Sequence, residues 1–431
     1  MSYTLKKAAK MQYPHLEGAE PPQGVQPPFL ISWNITKRCN LKCRHCYLDA
    51  SELEGSSELT TVEAKKVVDE IALLNRHSML ILTGGEPLLR EDCLEIAGHA
   101  AGQGITVVLG TNGTLLDRET VRRIVKSGVK GVGVSIDSSS PLYHDRFRGL
   151  PGAWQKTDSG IDALGEQGVE LSIHLTVTKD NIDDIARVIE YAIEKKAKTV
   201  NIFFLVCTGR GHDMVDVTPA QYEQCLKFLL EAERLYGDRI MVRARCAPHF
   251  LRLARDADPD GPLVKGATSG CIAGTGYLRI TPEGDVTPCP YMPTLAGNIR
   301  ETGLKKIWEG ADIFKTLRAK KYVGRCKDCE YSEICGGCRA RALSTTSNVM
   351  GEDRWCEYEP KGVKGKVPLI SQKQADVVWT KEAEERLLKV PAFLRSMVKG
   401  GVERYAREKG LASITPDILA ELKKRTGRPP S

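Results

Sequence analysis

The sequence of 431 residues predicts an α/β fold whose largest part is a parallel sheet. Six short apolar runs rich in β-branched residues alternate with segments such as 61–74 and 118–126, whose apolar residues have helical spacing. Connections long enough to hold a helix join parallel strands. The six predicted strands cover residues 29–35, 79–82, 106–109, 131–136, 171–177 and 200–206.

This alternation of strands and helices fits either a doubly wound sheet or a barrel, and periodicity alone does not choose between them. In both folds the loops at the carboxyl ends of the strands build the active site. We therefore expect functional residues directly after the predicted strands.

Composition changes along the chain predict further modules around a principal domain of residues 29–245. Residues 1–28 contain five prolines and predict an irregular lead-in. Residues 265–360 are short pieces rich in Gly, Pro and Cys, which predict a module held by metal more than by a core. After a flexible linker, residues 371–427 predict a small all-α domain of three helices, the last capped by Thr415.

The net charge of +7 comes from the tail, because residues 361–431 hold 16 Lys and Arg against 8 Asp and Glu. No nucleic-acid motif accompanies this basic tail, so we expect no nucleic-acid partner. No apolar stretch has the length of a membrane span, and the N-terminus lacks a signal-peptide pattern. A cytoplasmic location is therefore expected.

Ten of the 14 cysteines fall in two clusters. In a long chain of this kind, clustered thiols more often hold metal than form disulfides. We interpret the four scattered cysteines as structural, since free cysteine is commonly a small buried hydrophobe. They are Cys93, Cys207, Cys225 and Cys246.

The first cluster is a CxxxCxxC motif directly after the first strand, formed by Cys39, Cys43 and Cys46 and followed by Tyr47. Three thiolates hold three irons of a cubane and leave the fourth iron open. Zinc is the alternative, but a structural zinc site takes four ligands, and His45 between two of the cysteines is poorly placed to complete it.

This spacing, with an aromatic residue beside the last cysteine, resembles the motif of the radical S-adenosylmethionine (radical SAM) superfamily. The resemblance extends over residues 29–360. It implies a partial (β/α)6 barrel of the TIM type, with a 4Fe–4S cluster on the three cysteines and S-adenosylmethionine as a second cofactor. Further elements match the family in order, and taken alone each would pass as a turn or a cap. The cofactor-binding residues that the resemblance implies are Tyr47, Gly84, Gly85, Glu86, Pro87, Asn112, Ser135, Asp137 and Thr176.

The resemblance also implies the chemistry. One electron, supplied by a reductant such as flavodoxin or ferredoxin, breaks a sulfur–carbon bond of S-adenosylmethionine. The 5′-deoxyadenosyl radical that results removes hydrogen from an unactivated carbon, so the cofactors carry the difficult step. The protein contributes positioning and exclusion of water.

The second cluster resembles the SPASM extension of the same superfamily, which carries auxiliary 4Fe–4S clusters. The resemblance implies one auxiliary cluster on four thiols and another on the remaining three. The first set is Cys326, Cys329, Cys335 and Cys356, and the second is Cys271, Cys289 and Cys338. The full pattern has an eighth cysteine, and Tyr277 stands near its place here. Two possibilities stay open: the second cluster has an open or non-cysteine ligand, or one auxiliary cluster forms. Zinc-ribbon binding by the CxxC pairs is a further alternative.

Residues 144–149 and 335–342 resemble the tetrapyrrole-processing branch of the superfamily, and residues 379–426 are similar to a helical domain of dark-operative protochlorophyllide reductase. The leading hypothesis is oxidative decarboxylation of the propionates of an iron-coproporphyrin, as in a heme synthase. The alternatives are modification of a peptide or protein and non-catalytic electron transfer. For the tail, the alternative is that its three helices serve only for packing. Arginines that could bind substrate carboxylates are Arg146, Arg148, Arg339 and Arg341.

Overall fold

The computed structural model describes most of the chain between residues 25 and 420. The described residues are 25–50, 57–214, 216–259, 261–265, 270–362, 365–367, 378–388, 402, 405, 406, 411 and 413–420. The chain divides into two compact units, residues 1–369 and 370–431. The predicted lead-in falls outside the described residues up to residue 24, as does most of the second predicted helix of the tail. The third predicted helix is described at 416–420, where the chain is helical directly after Thr415. The domain boundaries proposed from the sequence stay predictions.

Ten strands of the first unit form one sheet in the order β10-β9-β8-β1-β2-β3-β4-β5-β6-β7. The strands are β1 Leu30–Asn34, β2 Met79–Thr83, β3 Thr106–Thr111, β4 Gly131–Ser135, β5 Glu170–Val177, β6 Thr199–Phe204, β7 Met241–Arg245, β8 Tyr277–Ile280, β9 Asp285–Thr287 and β10 Gly297–Asn298. Strands β1 to β7 pair in parallel with their neighbours. The sheet has two edges, β10 and β7, and is therefore an open version of the predicted barrel.

Helices connect the parallel strands, as the sequence predicts. Their bounds are α1 Thr61–Asn75, α2 Cys93–Gly102, α3 Arg118–Lys126, α4 Pro141–Arg148, α5 Ala153–Glu166, α6 Ile185–Glu194, α7 Pro219–Tyr236, α8 His249–Ala257, α9 Pro262–Lys265, α10 Leu304–Gly310, α11 Asp312–Ala319, α12 Arg325–Asp328 and α13 Arg339–Thr346. Side chains cap several of them. Thr60 and Glu63 form a capping box at the start of α1, and Thr218 and Gln221 form another at α7.

The strands bury alternate residues, and this alternation places the site. In β3 and β5 every second side chain is fully buried, while the residues between them are half-buried. The half-buried residues face a cavity on the inner side of the sheet, as Val108, Gly110, Ser172 and His174 do. The inner face of the sheet is thus a binding surface rather than a filled core.

The seventh parallel strand, β7, is absent from the sequence prediction. Its sequence, Met-Val-Arg-Ala-Arg, places Arg243 and Arg245 at alternate positions and has no apolar run. Pairing with β6 and packing of α7 stabilise it. A strand of this composition can be identified from its pairing with neighbouring elements, but not from its own sequence pattern.

The cysteine-rich module continues the main sheet. Strand β8 pairs in parallel with β1, with Leu30 opposite Tyr277, and β9 and β10 follow antiparallel. The module is therefore joined to the first strand of the barrel by backbone hydrogen bonds.

The second unit has a helical element, α14 Lys381–Leu388, and a short parallel pair that the sequence does not predict, β11 Val378–Trp379 with β12 Ser413–Ile414. Its buried cluster is Ala383, Val402, Ala406 and Ile414. Across the described residues of both units, none of the helices is long and apolar enough to span a membrane.

Helix α5 offers a stability test, because two of its glycines differ in surroundings. A Cβ at the buried Gly160 would lie 2.6 Å from Leu116 Cβ and 2.8 Å from Gly113 O, whereas a Cβ at Gly165 meets nothing within 4 Å. We expect Gly160→Ala to lower the free energy of unfolding by about 1–3 kcal/mol through overpacking. Gly165→Ala should raise it by about 0.5–1 kcal/mol. Denaturant unfolding of both variants measures this, and equal effects would contradict the described packing.

Candidate functional site

A cavity of about 1130 Å³ lies on the inner face of the sheet in the first unit. Its walls include the first cysteine cluster, part of the second and most of the polar residues predicted from the sequence. The predicted residues that line it are Cys39, Cys43, Cys46, Tyr47, Gly84, Gly85, Asn112, Ser135, Thr176, Cys271, Cys289 and Cys338. Residues far apart in the sequence thus line one cavity.

The first three thiols lie in the loop that follows β1. Cys39 and Cys43 are buried and Cys46 is half-buried. Burial raises the pKa of Cys39 to about 12, so this thiol ionises when a positive charge compensates the thiolate. Arg210 secures the loop, since its guanidinium donates to the carbonyl oxygens of Cys43 at 3.0 Å and Ala50 at 2.8 Å.

Backbone contact with the Gly84-Gly85 turn also fixes the cysteine loop. The amide of Gly85 donates to Thr36 O at 2.8 Å, and the amide of Glu86 donates to Arg38 O at 2.8 Å. A Cβ at Gly84 would lie 2.4 Å from Thr36 O, and one at Gly85 would lie 2.2 Å from Arg38 O. Both positions therefore require glycine, and Gly84 also has a positive φ of 150°.

Glu86 and Pro87 are not among the residues that line the cavity, and their cofactor-binding role stays a prediction. Glu86 is fully buried and accepts hydrogen bonds from Thr111 Oγ1 and the amide of Asn112, both at 2.8 Å. Burial raises the pKa of Glu86 to about 7 against these hydrogen bonds. Pro87 begins the short 3-10 turn Pro87–Leu89. The two residues connect the glycine turn to the end of β3 and support the cavity wall without lining it.

Asp137 is also placed behind the cavity wall. Its carboxylate accepts from Arg148 Nε at 2.6 Å and from the Thr176 amide at 3.0 Å, and its side chain is fully buried. Burial opposes ionisation, but the charge of Arg148 prevails and lowers the pKa of Asp137. Arg148 Nη1 lies 3.8 Å from Cys43 Sγ. The ion pair thus directs the Arg148 guanidinium to the Cys43 thiol, and the cofactor contact of Asp137 stays a prediction.

The remaining predicted polar residues are held by local hydrogen bonds at the cavity wall. Asn112 donates from Nδ2 to Asn40 Oδ1 at 2.9 Å, which links the loop after β3 to the cysteine loop. Tyr47 Oη accepts from Asn34 Nδ2 at 3.0 Å. These contacts orient the side chains before any ligand binds.

The thiols of the second cluster separate into two groups in space. Cys326, Cys329, Cys335 and Cys356 line one small cavity, away from the large one. Cys271, Cys289 and Cys338 line the large cavity together with Cys246, which the sequence analysis treats as structural. In the part of the chain that is described, no group of three or more His, Cys, Asp or Glu side chains is arranged to bind a single metal ion. Groups of three and four thiols suit iron–sulfur clusters, in which each thiolate binds a different iron.

The arginines proposed from the sequence for substrate carboxylates have other contacts. Arg341 pairs with the buried Asp353 at 3.2 Å, and Arg339 donates to three backbone carbonyls. Arg148 pairs with Asp137, and Arg146 is exposed above the ring of Tyr143. Of the four, Arg148 lines the large cavity, and a carboxylate-binding role for these arginines stays a prediction.

Other arginines face the large cavity, among them Arg243 and Arg245 of β7. Arg245 Nε donates to Asn201 Oδ1 at 2.7 Å, and Asn201 Nδ2 donates to Ser172 Oγ at 2.7 Å. This chain of hydrogen bonds orients the Arg245 side chain. Sequence reasoning missed these residues because it missed β7.

Comparisons with known proteins assign the modules. Residues 33–192 match the radical SAM superfamily, residues 271–330 match the SPASM iron–sulfur cluster-binding domain, and residues 379–423 match the 57 kD subunit of proto-chlorophyllide reductase. All three resemblances seen in the sequence are confirmed.

Two curated relatives are AdoMet-dependent heme synthases. The protein of Methanosarcina barkeri is 42% identical over 77% of this chain and 97% of its own length. That of Nitratidesulfovibrio vulgaris is 35% identical over 77% of this chain and 93% of its own length. Streptococcus suis SuiB bound to S-adenosylmethionine shares the fold, with a TM-score of 0.63 at 18% identity over 77% of this chain and 78% of SuiB.

The similarity to the M. barkeri protein covers nearly the whole of that relative, and the modules occur in the order that the sequence predicts. The zinc alternatives for the two cysteine clusters are therefore set aside. The chain belongs to the radical SAM superfamily: it is a radical SAM enzyme with a SPASM extension, and its cofactors are 4Fe–4S clusters and S-adenosylmethionine.

Proposed function

We propose that this enzyme acts on a tetrapyrrole and converts propionate side chains of an iron-coproporphyrin to vinyl groups by oxidative decarboxylation. The observation that carries the proposal is the 42% identity to a heme synthase over 97% of that protein. The cavity of about 1130 Å³ supports it, because a pocket of this size has room for a large planar ligand. The same cavity contacts both the first thiol triplet and the β7 arginines.

We assign the first cluster to Cys39, Cys43 and Cys46, and S-adenosylmethionine to the wall formed by Gly84, Gly85 and the polar residues at the ends of β3 to β5. When bound, these cofactors supply the radical that removes a hydrogen atom from the substrate. The glycine turn packs its backbone directly against the cysteine loop, and Glu86 keeps that turn against β3. Ser135, Thr176 and Asn112 provide hydrogen-bonding groups on the same wall.

The proposed reaction needs an electron acceptor. For each propionate, loss of one hydrogen atom, one carbon dioxide molecule and one electron leaves a vinyl group. We assign the acceptor to an auxiliary cluster, and the clusters to Cys326, Cys329, Cys335 and Cys356 and to the set that contains Cys271, Cys289 and Cys338. An external reductant such as flavodoxin or ferredoxin would supply the electron that starts each cycle, in the cytoplasm.

Anaerobic turnover tests the proposal. With S-adenosylmethionine, dithionite and iron-coproporphyrin, we expect heme and 5′-deoxyadenosine to form together, measured by absorbance and chromatography. Cys46→Ala should abolish both products, because the cluster loses one of three thiolates. Cys225→Ala, at a buried position in α7, should keep both.

Two outcomes would contradict this function. Consumption of a peptide substrate without any reaction of iron-coproporphyrin would favour the peptide-modifying alternative. Absence of 5′-deoxyadenosine from wild-type protein with intact clusters would favour an electron carrier.

Arg245 is the residue for which we expect the clearest effect on substrate affinity. A guanidinium that hydrogen-bonds a carboxylate in a partly enclosed cavity contributes about 1.5–3 kcal/mol. We therefore expect Arg245→Gln to weaken binding of iron-coproporphyrin by roughly 10- to 100-fold. Absorbance titration measures the dissociation constant. Arg118→Gln, at an exposed pair with Glu166, is the matched control, and equal affinity in both variants would exclude the assignment.

Arg148 should tune the first cluster, because its guanidinium lies 3.8 Å from Cys43 Sγ. A nearby positive charge stabilises the reduced cluster, so Arg148→Gln should make the reduction potential more negative, on the order of 50 mV, or about 1 kcal/mol for one electron. Redox titration followed by electron paramagnetic resonance (EPR) measures the shift.

The control for this measurement must account for the carboxylate that Arg148→Gln leaves unpaired. The double variant Asp137→Asn/Arg148→Gln should shift the potential less than the single variant, since it also removes the negative charge. Arg146→Gln, at the exposed neighbouring position, should leave the potential unchanged. A shift in Arg146→Gln as large as that in Arg148→Gln would argue against a local charge effect.

A further inference from the structure

We propose that Cys246 is the fourth thiolate of the auxiliary iron–sulfur cluster bound by Cys271, Cys289 and Cys338. The spacing of the extension provides three thiols for this cluster, and its eighth cysteine is missing from the usual place. Cys246 lies before the extension, in the residue that follows β7. The ligand would therefore come from the barrel and not from the cysteine-rich module.

The first argument is position. Cys246, Cys271 and Cys289 all pack against the buried cluster that contains Cys338, and all four line the large cavity. The other four thiols of the extension lie around a separate cavity. The eight cysteines therefore divide into two groups of four, which is the number that a fully ligated 4Fe–4S cluster requires.

A hydrogen-bonded link fixes Cys246 relative to Cys338. Arg341 Nη2 donates to Cys246 O at 2.9 Å and contacts Asp353 Oδ2 at 3.2 Å. Asp353 Oδ2 in turn accepts from the amide of Cys338 at 2.8 Å. Arg341 and Asp353 are both almost fully buried, so this connection between barrel and module is protected from solvent.

The backbone of Cys246 is also unusual. Its φ of 56° lies in the left-handed region, which residues other than glycine rarely adopt. Strained residues concentrate at ligand sites that hold them in place, and a cluster ligand at this position fits that pattern.

Tyr277 is the competing ligand, because it stands near the place of the missing cysteine. Its hydroxyl makes a hydrogen bond of 2.5 Å with Ser32 Oγ, on the strand that pairs with β8. This contact gives the tyrosine a partner within the sheet. With Cys246 as a ligand, all four irons would be bound by protein, so this cluster would carry electrons and would not bind substrate.

The test counts iron and records EPR spectra of full-length protein in which Cys39, Cys43 and Cys46 are replaced by alanine. This parent should hold two auxiliary clusters, or about eight irons per chain. We expect Cys246→Ala in this background either to lose about four irons or to give a three-iron EPR signal after mild oxidation. Cys271→Ala should do the same.

Cys225→Ala and Tyr277→Phe are the controls, and both should match the parent. Parent-like iron content and spectra in Cys246→Ala, with a clear change in Cys271→Ala, would overturn the proposal. A three-iron signal in Tyr277→Phe but not in Cys246→Ala would assign the ligand to the tyrosine. Retention of the other auxiliary cluster in Cys246→Ala, seen as at least about four remaining irons, shows that the variant is folded. Because the readout is the cluster, failure of heme formation does not affect this test.

Discussion

The site depends on the close packing of two backbone segments, the cysteine loop after β1 and the Gly84-Gly85 turn after β2. The carbonyls of Thr36 and Arg38 accept hydrogen bonds from this turn at distances that leave no space for a Cβ. The first thiol triplet is therefore positioned by main-chain contacts. Two side chains then stabilise this contact. Glu86 joins the turn to β3, and Arg210, in the segment after β6, hydrogen-bonds to the cysteine loop.

Buried ion pairs provide a second constraint, and each is placed beside a thiol. Asp137 directs Arg148 to Cys43, and Asp353 directs Arg341 to the backbone of Cys246 while accepting from the amide of Cys338. Buried pairs of this kind are weak as a source of stability, because desolvation opposes the attraction. Their value here is in orientation and in the positive charge that they bring to groups that bind metal as anions.

Much of this arrangement could be predicted from the sequence, since it depends on local signals. The CxxxCxxC motif, the glycine turn and the six apolar strands are each recognisable from adjacent residues. The roles of Asp137 and Glu86 could not be predicted. The sequence does not show whether a carboxylate side chain points into the cavity or toward a buried arginine or amide. Strand β7 has arginines where an apolar pattern would identify it, so the arginines of the cavity wall were missed with it.

Cys246 shows why cysteine spacing is an incomplete guide to cluster ligation. Spacing groups thiols within one loop region, whereas a cluster requires thiols that meet in space. Strand β8 of the module pairs with β1, and α13 carries Arg341 to the residue after β7, so the module contacts the barrel at both edges of the parallel sheet. A ligand lost from the module can then be replaced from the barrel without any change in the module's own spacing. Cluster assignments in chains with a missing cysteine should therefore be made from the residues that wall the cavity, whatever their distance along the sequence.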